Sequence, residues 1–234
     1  MATRPAKPIS TTRGKNTDVC VALVPQGSTV FPVSEVLTVG ATPAAKGATT
    51  LTVASATTNS LVSGQGLVFV DSNDAQYLAV LDADYEPGVT ELTVRALGEE
   101  IPAASTAAFP VRFALRTTAD VSKSLENEET DTFDHEATSY TPTTANAEMT
   151  LDGMFGWVDA GRETLEAAYA SKGFIYVSKT LDAPSAAYVR GEREEGIAIV
   201  SSLDKPAPND GQVNFNASLQ ISGQLVRTDP VPTS

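Results

Sequence analysis

Cysteine, histidine and tryptophan are almost absent from this chain of 234 residues, and each occurs once. Because Cys20 has no partner in the chain, no internal disulfide can form, and the fold must be stable without crosslinks. His135 has no second ligand type at metal-binding spacing, which disfavours a transition-metal site. We therefore expect no metal and no cofactor, and we interpret Cys20 as a small residue of an apolar strand.

Sequence patterns of catalysis are missing as well. No Gly-rich phosphate loop precedes a helix, no nucleophile motif surrounds His135, and nothing places two carboxylates across a cleft. The sequence therefore predicts a protein that is not an enzyme. The acidic clusters at 71–74 and 82–86 carry oxygen ligands that calcium would accept, but they lack the spacing of an EF-hand loop. We interpret them as solvated turns and leave calcium binding open.

Basic residues and long apolar runs are also scarce. The chain has 16 Lys and Arg against 29 Asp and Glu, a formal net charge of −13. This balance argues against a direct grip on a nucleic-acid backbone, whereas an acidic surface that passes DNA without holding it stays possible. No apolar run is long enough to span a membrane and no secretion signal is visible, so we expect neither membrane insertion nor export.

Thr, Ser, Val and Ala dominate what is present, in patterns typical of an all-β protein. The apolar run at 196–200 predicts a strand buried on both faces, and a Pro-rich turn follows it. The next run alternates with a period of two, which indicates a strand with one packed face and one wet face. The wet face carries amides and hydroxyls without charge: Asn214, Asn216, Ser218 and Gln220.

Residues 40–110 have a pattern of their own. The segment Gly47–Val53 is echoed by Gly88–Val94, with Gly, Thr, Leu, Thr and Val recurring at an offset of 41. The echo predicts two related β units that pack together, because a lone hairpin is marginal in water. Chance similarity in Thr/Val-rich sequence is the competing explanation. We predict a small inserted β domain at 40–110 and a main β-sandwich made of 1–39 and 111–234.

Two charged segments are complementary. The first 17 residues form a basic arm, which is either a disordered tail or a segment that orders on a neighbouring acidic subunit. A like-charged acidic run later in the chain predicts an exposed loop that stays flexible until a partner orders it. The candidate contact residues are Arg4, Lys7, Arg13 and Lys15 in the arm, and Glu126, Glu128, Glu129, Asp131, Asp134 and Glu136 in the acidic run.

One segment has a helical pattern. Asp159 is placed to cap its N-terminus, Leu165, Ala168 and Tyr169 form an apolar stripe, and Lys172-Gly173 ends it. A single helix in a β chain most simply covers an open end or face of the sandwich.

The order of these parts resembles the major tail tube proteins of long-tailed bacteriophages. A basic arm and early strands precede a long strand that runs into an acidic loop. One helix then follows the Gly/aromatic segment 153–157, and a final hairpin ends in the segment 216–223, Asn-Ala-Ser-Leu-Gln-Ile-Ser-Gly. The resemblance covers roughly residues 2–40 and 111–226, whereas 40–110 departs from the shortest members of the family.

This resemblance implies a β-sandwich tail-tube fold with one flanking helix, and the added domain at 40–110 would lie on the tube exterior. Six subunits would form a ring, and stacked rings would form a tube with a continuous β-barrel lining, through which double-stranded DNA passes. Expected partners are the subunit itself and the tape measure, tail terminator and tail tip proteins, in a virion assembled in the host cytoplasm. Contractile and non-contractile tails both remain open. The alternative function is that of a capsid decoration or adhesin-like β-domain binding protein.

Overall fold

A computed structural model describes residues 17–113, 116–130, 139–154, 159–181, 188–205 and 214–232. Within these residues the chain forms strands, paired antiparallel, and one helix, α1 (Ala160–Ser171), so the predicted all-β fold with one helix is confirmed. The strands are β1 (Asp18–Val24), β2 (Glu35–Thr38), β3 (Thr50–Thr52), β4 (Gly66–Val70), β5 (Gln76–Val80), β6 (Glu91–Thr93), β7 (Thr106–Phe109), β8 (Val111–Arg112), β9 (Arg116–Thr130), β10 (Ser139–Met154), β11 (Phe174–Thr180), β12 (Tyr188–Arg190), β13 (Arg193–Asp204), β14 (Asn214–Ile221), β15 (Val226–Thr228) and β16 (Val231–Pro232).

The main sheet has the strand order β8-β1-β11-β13-β14-β10-β9, and β15 also pairs with β13. Alternate residues along its central strands point to one side, where they form an apolar core. Phe113 and Phe215 meet edge to face on that side, with ring centroids 4.9 Å apart. The buried residues of this side are Val19, Val21, Leu23, Met149, Leu151, Ile175, Val177, Ala198, Val200, Phe215, Ala217 and Leu219.

The prediction of a strand buried on both faces at 196–200 is wrong at one position. Gly196, Ile197, Ala198 and Val200 are buried, whereas the side chain of Ile199 is 38% exposed. Ile199 is the cross-strand partner of Gln220, so it points towards the solvated side of the sheet.

A second unit is built from the four-stranded sheet β2-β7-β4-β5 and the two-stranded sheet β3-β6. The two copies of the echoed segment form β3 and β6, which pair with each other. Their backbone contacts are reciprocal. Val53 donates its N–H to the carbonyl of Thr90 at 2.8 Å, and Val94 donates to the carbonyl of Thr49 at 2.9 Å. Both donor and acceptor are displaced by 41 residues between the two bonds, so the echo corresponds to an internal pseudo-two-fold arrangement.

The second unit begins earlier than the sequence indicates. A strand was expected at 29–38, but only Glu35–Thr38 is extended, and this strand pairs with β7 rather than with the main sheet. Glu35 lies opposite Phe109, so the entering and leaving strands of the unit are neighbours. The strand pairing therefore puts the start at Glu35 instead of Gly40, while the division of the chain into two domains stays a prediction.

The two units are joined through a short polar and glycine segment before β4. The side-chain carbonyl of Gln65 accepts a hydrogen bond from the backbone N–H of Leu23 in β1 at 2.7 Å. The side-chain amide of Gln65 donates to the hydroxyl of Thr164 in α1 at 3.0 Å. A Cβ on Gly66 would lie 2.7 Å from the carbonyl oxygen of Ala160. Only glycine permits this close approach of β4 to the helix.

Helix α1 has the predicted ends. The carboxylate of Asp159 accepts the N–H groups of Gly161 and Arg162 at 2.9 and 3.2 Å. Lys172 adopts a left-handed backbone with φ of 54°, and this residue ends the helix. Leu165 and Ala168 are buried as expected, but Tyr169 is 48% exposed. No helix in the described part of the chain is long and apolar enough to cross a membrane.

Candidate channel face and assembly surfaces

Strand β14 alternates as its sequence predicts. Phe215, Ala217, Leu219 and Ile221 are buried, with exposed fractions of 7% or less. Between them, Asn214 and Gln220 are exposed and Asn216 and Ser218 are half-buried. The four candidate residues therefore share one solvated side of β14, since a strand turns successive side chains to opposite faces.

The solvated side extends over two further strands. Residues that pair across neighbouring strands point to the same side of the sheet. Strand β10 adds three positions beside β14, and β9 adds three beside β10. We call this surface the wet face, and it contains three carboxylates and no basic residue. Its residues, strand by strand, are Asn214, Asn216, Ser218 and Gln220; Glu148, Thr150 and Asp152; Thr118, Asp120 and Ser122.

Asp152 connects the three strands of the wet face. Its Oδ1 accepts a hydrogen bond from the amide of Asn216 at 2.5 Å, and its Oδ2 accepts one from the hydroxyl of Thr118 at 2.6 Å. Each carboxylate oxygen thus has a donor from a different neighbouring strand. The contribution of β9 and β10 was missed from sequence, although the alternation of Glu148, Thr150 and Asp152 was the available signal.

Strands β9 and β10 extend beyond the rest of the sheet. Strand β14 pairs with β10 only along Glu148–Met154, whereas β9 pairs with β10 as far as Ser139 opposite Thr130. The outer half of this hairpin is thus a two-stranded ribbon within the described residues, and two-stranded ribbons are marginal in water. Strand β9 is also the last strand of the sheet order, so one edge of 15 residues is unpaired in the described chain. Such an edge readily pairs with another chain.

The acidic run was expected to be a loop, and this is wrong for its first half. Glu126, Glu128 and Glu129 lie in β9, where they are opposite Thr144, Thr141 and Tyr140 respectively. No glutamate faces another, and Thr and Tyr favour strands, so extended pairing avoids the like-charge conflict. Asp131, Asp134, His135 and Glu136 lie outside the described residues.

The basic arm, with Arg4, Lys7, Arg13 and Lys15, also lies outside the described residues. The described chain starts at the buried Thr17. Asp18 then forms an ion pair with Arg112 of β8, with 2.6 Å between the carboxylate and the guanidinium. This pair marks the point at which the arm joins the fold.

The acidic turns of the second unit have structural roles. Asp71 accepts the N–H groups of Asn73 and Ala75 at 2.8 and 2.9 Å, and Asp84 accepts that of Ser63 at 2.7 Å. The bond from Ala75, followed by that from Asn73, holds the pKa of Asp71 below its usual value. Among the described residues, no group of three or more potential ligands is arranged to hold a metal ion.

Comparison with known proteins gives one family. The profile described as "Phage tail tube protein" matches residues 101–227, which is 127 of the 234 residues. The match runs from the end of the second unit through α1 and β14 to β15 and includes every strand of the wet face. No curated protein matches the chain.

Three solved structures have a similar fold over part of the chain. A chain of the native gene transfer agent virion is 13% identical with a TM-score of 0.41, and the similarity covers 50% of this chain and 86% of that one. A chain of the tail of the empty gene transfer agent particle, refined with C6 symmetry, is 12% identical with a TM-score of 0.40, covering 50% and 84%. A chain of the anti-feeding prophage baseplate is 11% identical with a TM-score of 0.40, covering 52% and 84%.

Proposed function

Because the chain belongs to the phage tail tube protein family, we propose that it forms hexameric rings that stack into the tube through which DNA leaves the capsid. Family membership makes it a structural protein of the phage tail rather than an enzyme. The ring, the stacking and the passage of DNA are the proposed steps beyond membership.

The wet face is the observation that carries the proposal. It is a continuous polar surface on three adjacent strands, with Asp120, Glu148 and Asp152 as its charges. Binding to DNA backbones comes mainly from Lys and Arg, so a surface with carboxylates, amides and hydroxyls stays hydrated and does not hold phosphates. Lining the lumen with this face would let DNA slide.

The unpaired edge of β9 supports closure of a lining across subunits. A sheet that ends in a long unpaired strand is prone to uncontrolled pairing, and a closed barrel removes such edges. In a ring, β9 of one subunit would pair with a strand of the next. The wet faces would then form one continuous inner surface.

The opposite side of the main sheet supports an exterior position for the second unit. Phe215 points away from Asn216, and on its side lie Phe113 and, against Phe113, Gly161 of α1. The second unit contacts α1 through Gln65 and Gly66. It therefore sits on the helix side of the sheet, and a lumen on the wet side would leave it outside.

The charged segments are proposed as assembly contacts. The arm residues Arg4, Lys7, Arg13 and Lys15 would dock on the acidic hairpin of a neighbouring subunit, within a ring or between rings, by charge complementarity. Ends of the tube would meet other tail proteins, including the tape measure, terminator and tip proteins.

Negative-stain microscopy of the purified protein over a concentration series tests the proposal. Hollow tubes or six-membered rings are the expected result. Compact monomers at every concentration would contradict it and would favour the decoration or adhesin-like alternative.

A further inference from the structure

Exposed apolar side chains are concentrated beside the second unit. Val30, Val33 and Val36 are 75%, 54% and 64% exposed, although they fall within seven residues of sequence. Val36 belongs to β2, where it lies opposite Ala108 of β7. It therefore begins an apolar surface on the four-stranded sheet.

This surface leads into a cleft of about 380 Å³ between the four-stranded sheet and the start of α1. Val36, Val68, Val70 and Ala108 form its sheet wall, and Val111 lies at its far side. Val68 and Val70 are only half-buried and Ala108 is exposed. A solvated, mainly apolar sheet face is costly in water and is typical of a surface that something covers.

The chain itself reaches this place. Arg112 lines the cleft, and its guanidinium pairs with Asp18 at 2.6 Å. The chain before Asp18 thus leaves the fold within the length of one arginine side chain of the cleft. The 16 residues before Thr17 can span up to about 50 Å when extended, which is several times the width of a four-stranded sheet.

The chemistry of that segment fits the cleft. Pro5, Pro8 and Ile9 are its apolar side chains near the middle, and prolines favour an extended helix without internal hydrogen bonds. Such a segment can lie on a sheet face whose backbone groups are already paired. Tethering makes the encounter intramolecular, with an effective concentration on the order of millimolar.

We propose that the N-terminal arm of the same chain covers this cleft in the unassembled subunit, with Pro8 and Ile9 against Val36, Val68 and Val70. The arm then has two competing sites, its own cleft and the neighbouring subunit, so release from the cleft precedes docking in a ring. Occupancy of the cleft does not depend on the tail tube role and is tested on the unassembled chain.

Crosslinking in dilute solution tests the proposal. In a Cys20→Ser background, Ile9→Cys is combined with Gln76→Cys at the cleft, or with Ser122→Cys on the wet face as the control. A bismaleimide is added to an equal mixture of isotopically heavy and light chains, and products are identified by mass spectrometry. We expect an intrachain crosslink from residue 9 to residue 76 in several-fold excess over the crosslink to residue 122. Equal yields at both positions, or heavy–light products alone, would overturn the proposal.

A second measurement uses the full chain without crosslinking. Ile9→Asp should free the apolar face and raise the fluorescence of the dye ANS severalfold, whereas Thr11→Asp, with the same charge change, should not. Unchanged fluorescence in Ile9→Asp would overturn the proposal even if the cysteine variants did not fold.

Discussion

Asn216 and Asp152 face each other across β14 and β10, and the amide of Asn216 donates to the carboxylate of Asp152 at 2.5 Å. The next position along β14, Ser218, faces the uncharged Thr150 instead. The two positions lie on the same wet face, but they differ in what an introduced charge would meet. This difference separates two substitutions that the sequence alone treats as equivalent.

A lysine at Ser218 is expected to slow DNA release more than a lysine at Asn216. In Asn216→Lys the ammonium lies beside Asp152 and is largely neutralised within the subunit. In Ser218→Lys the charge stays available to phosphates, and contacts in stacked rings add up. The measurement is DNA ejected per unit time from variant virions, with tube shape checked by microscopy.

The control for this pair is Ser218→Gln, which adds length without charge and should eject DNA at the normal rate. Normal ejection by Ser218→Lys would mean that the wet face does not line the lumen.

Replacing Gln65 with Ala should destabilise the protein by about 1–3 kcal/mol, the usual cost of leaving buried polar groups unpaired. Gln65 is fully buried, and its loss leaves the N–H of Leu23 without its acceptor. Urea unfolding measures the effect, with the exposed Gln76→Ala as the matched control. Equal midpoints for the two variants would show that the contact between the units contributes little.

Deletion of the second unit is expected to harm the main sheet. The sequence suggested that residues 40–110 could be replaced by a short linker. However, deletion removes Gln65 and Gly66 from α1 and β1 and cuts β2 from β7. We expect insoluble protein or a much lower unfolding midpoint in circular dichroism. A soluble, ring-forming deletion variant would show that the contacts are dispensable.

Stability should fall between about pH 10 and pH 12 because of Tyr176. Burial, followed by the hydrogen bond to Glu195, raises the pKa of Tyr176 to about 12 from a model value of 10.0. The folded state therefore keeps a proton that the unfolded state loses, so the stabilisation is complete below pH 10 and is lost as pH rises through the folded pKa. Two pKa units correspond to on the order of 2–3 kcal/mol.

Tyr176→Phe should flatten this part of the pH profile in urea unfolding, and Tyr169→Phe, at an exposed position, serves as the control. An unchanged slope in Tyr176→Phe would assign the alkaline loss of stability to other groups.

Replacing Arg4, Lys7, Arg13 and Lys15 with Ala should slow polymerisation and reduce its dependence on salt, because screening acts on the charge pairs that the variant lacks. Light scattering over a range of salt concentrations measures this. Replacing Thr3, Ser10, Thr11 and Thr12 with Ala is the matched control. Growth at low salt that equals that of the natural chain would rule out electrostatic docking of the arm.

Local patterns in the sequence were sufficient for several parts of this fold. The period of two in 214–221 determines which residues share a face, because the geometry of a strand leaves no other choice. Asp159 and Lys172 delimit α1 because capping depends on residues within one turn. The echo at offset 41 likewise anticipated the pairing of β3 with β6.

Tertiary structure decided what depends on partners distant in the chain. Glu126, Glu128 and Glu129 are in a strand only because Thr- and Tyr-containing positions of β10 lie opposite them. Strand β2 belongs to the second unit because Phe109, 74 residues after Glu35, pairs with it. Asp152 reaches Asn216 because β14 lies beside β10. Strand pairing joins residues that no local pattern connects, so the sequence by itself determined the faces of the strands, and only the assembled sheet determined their neighbours.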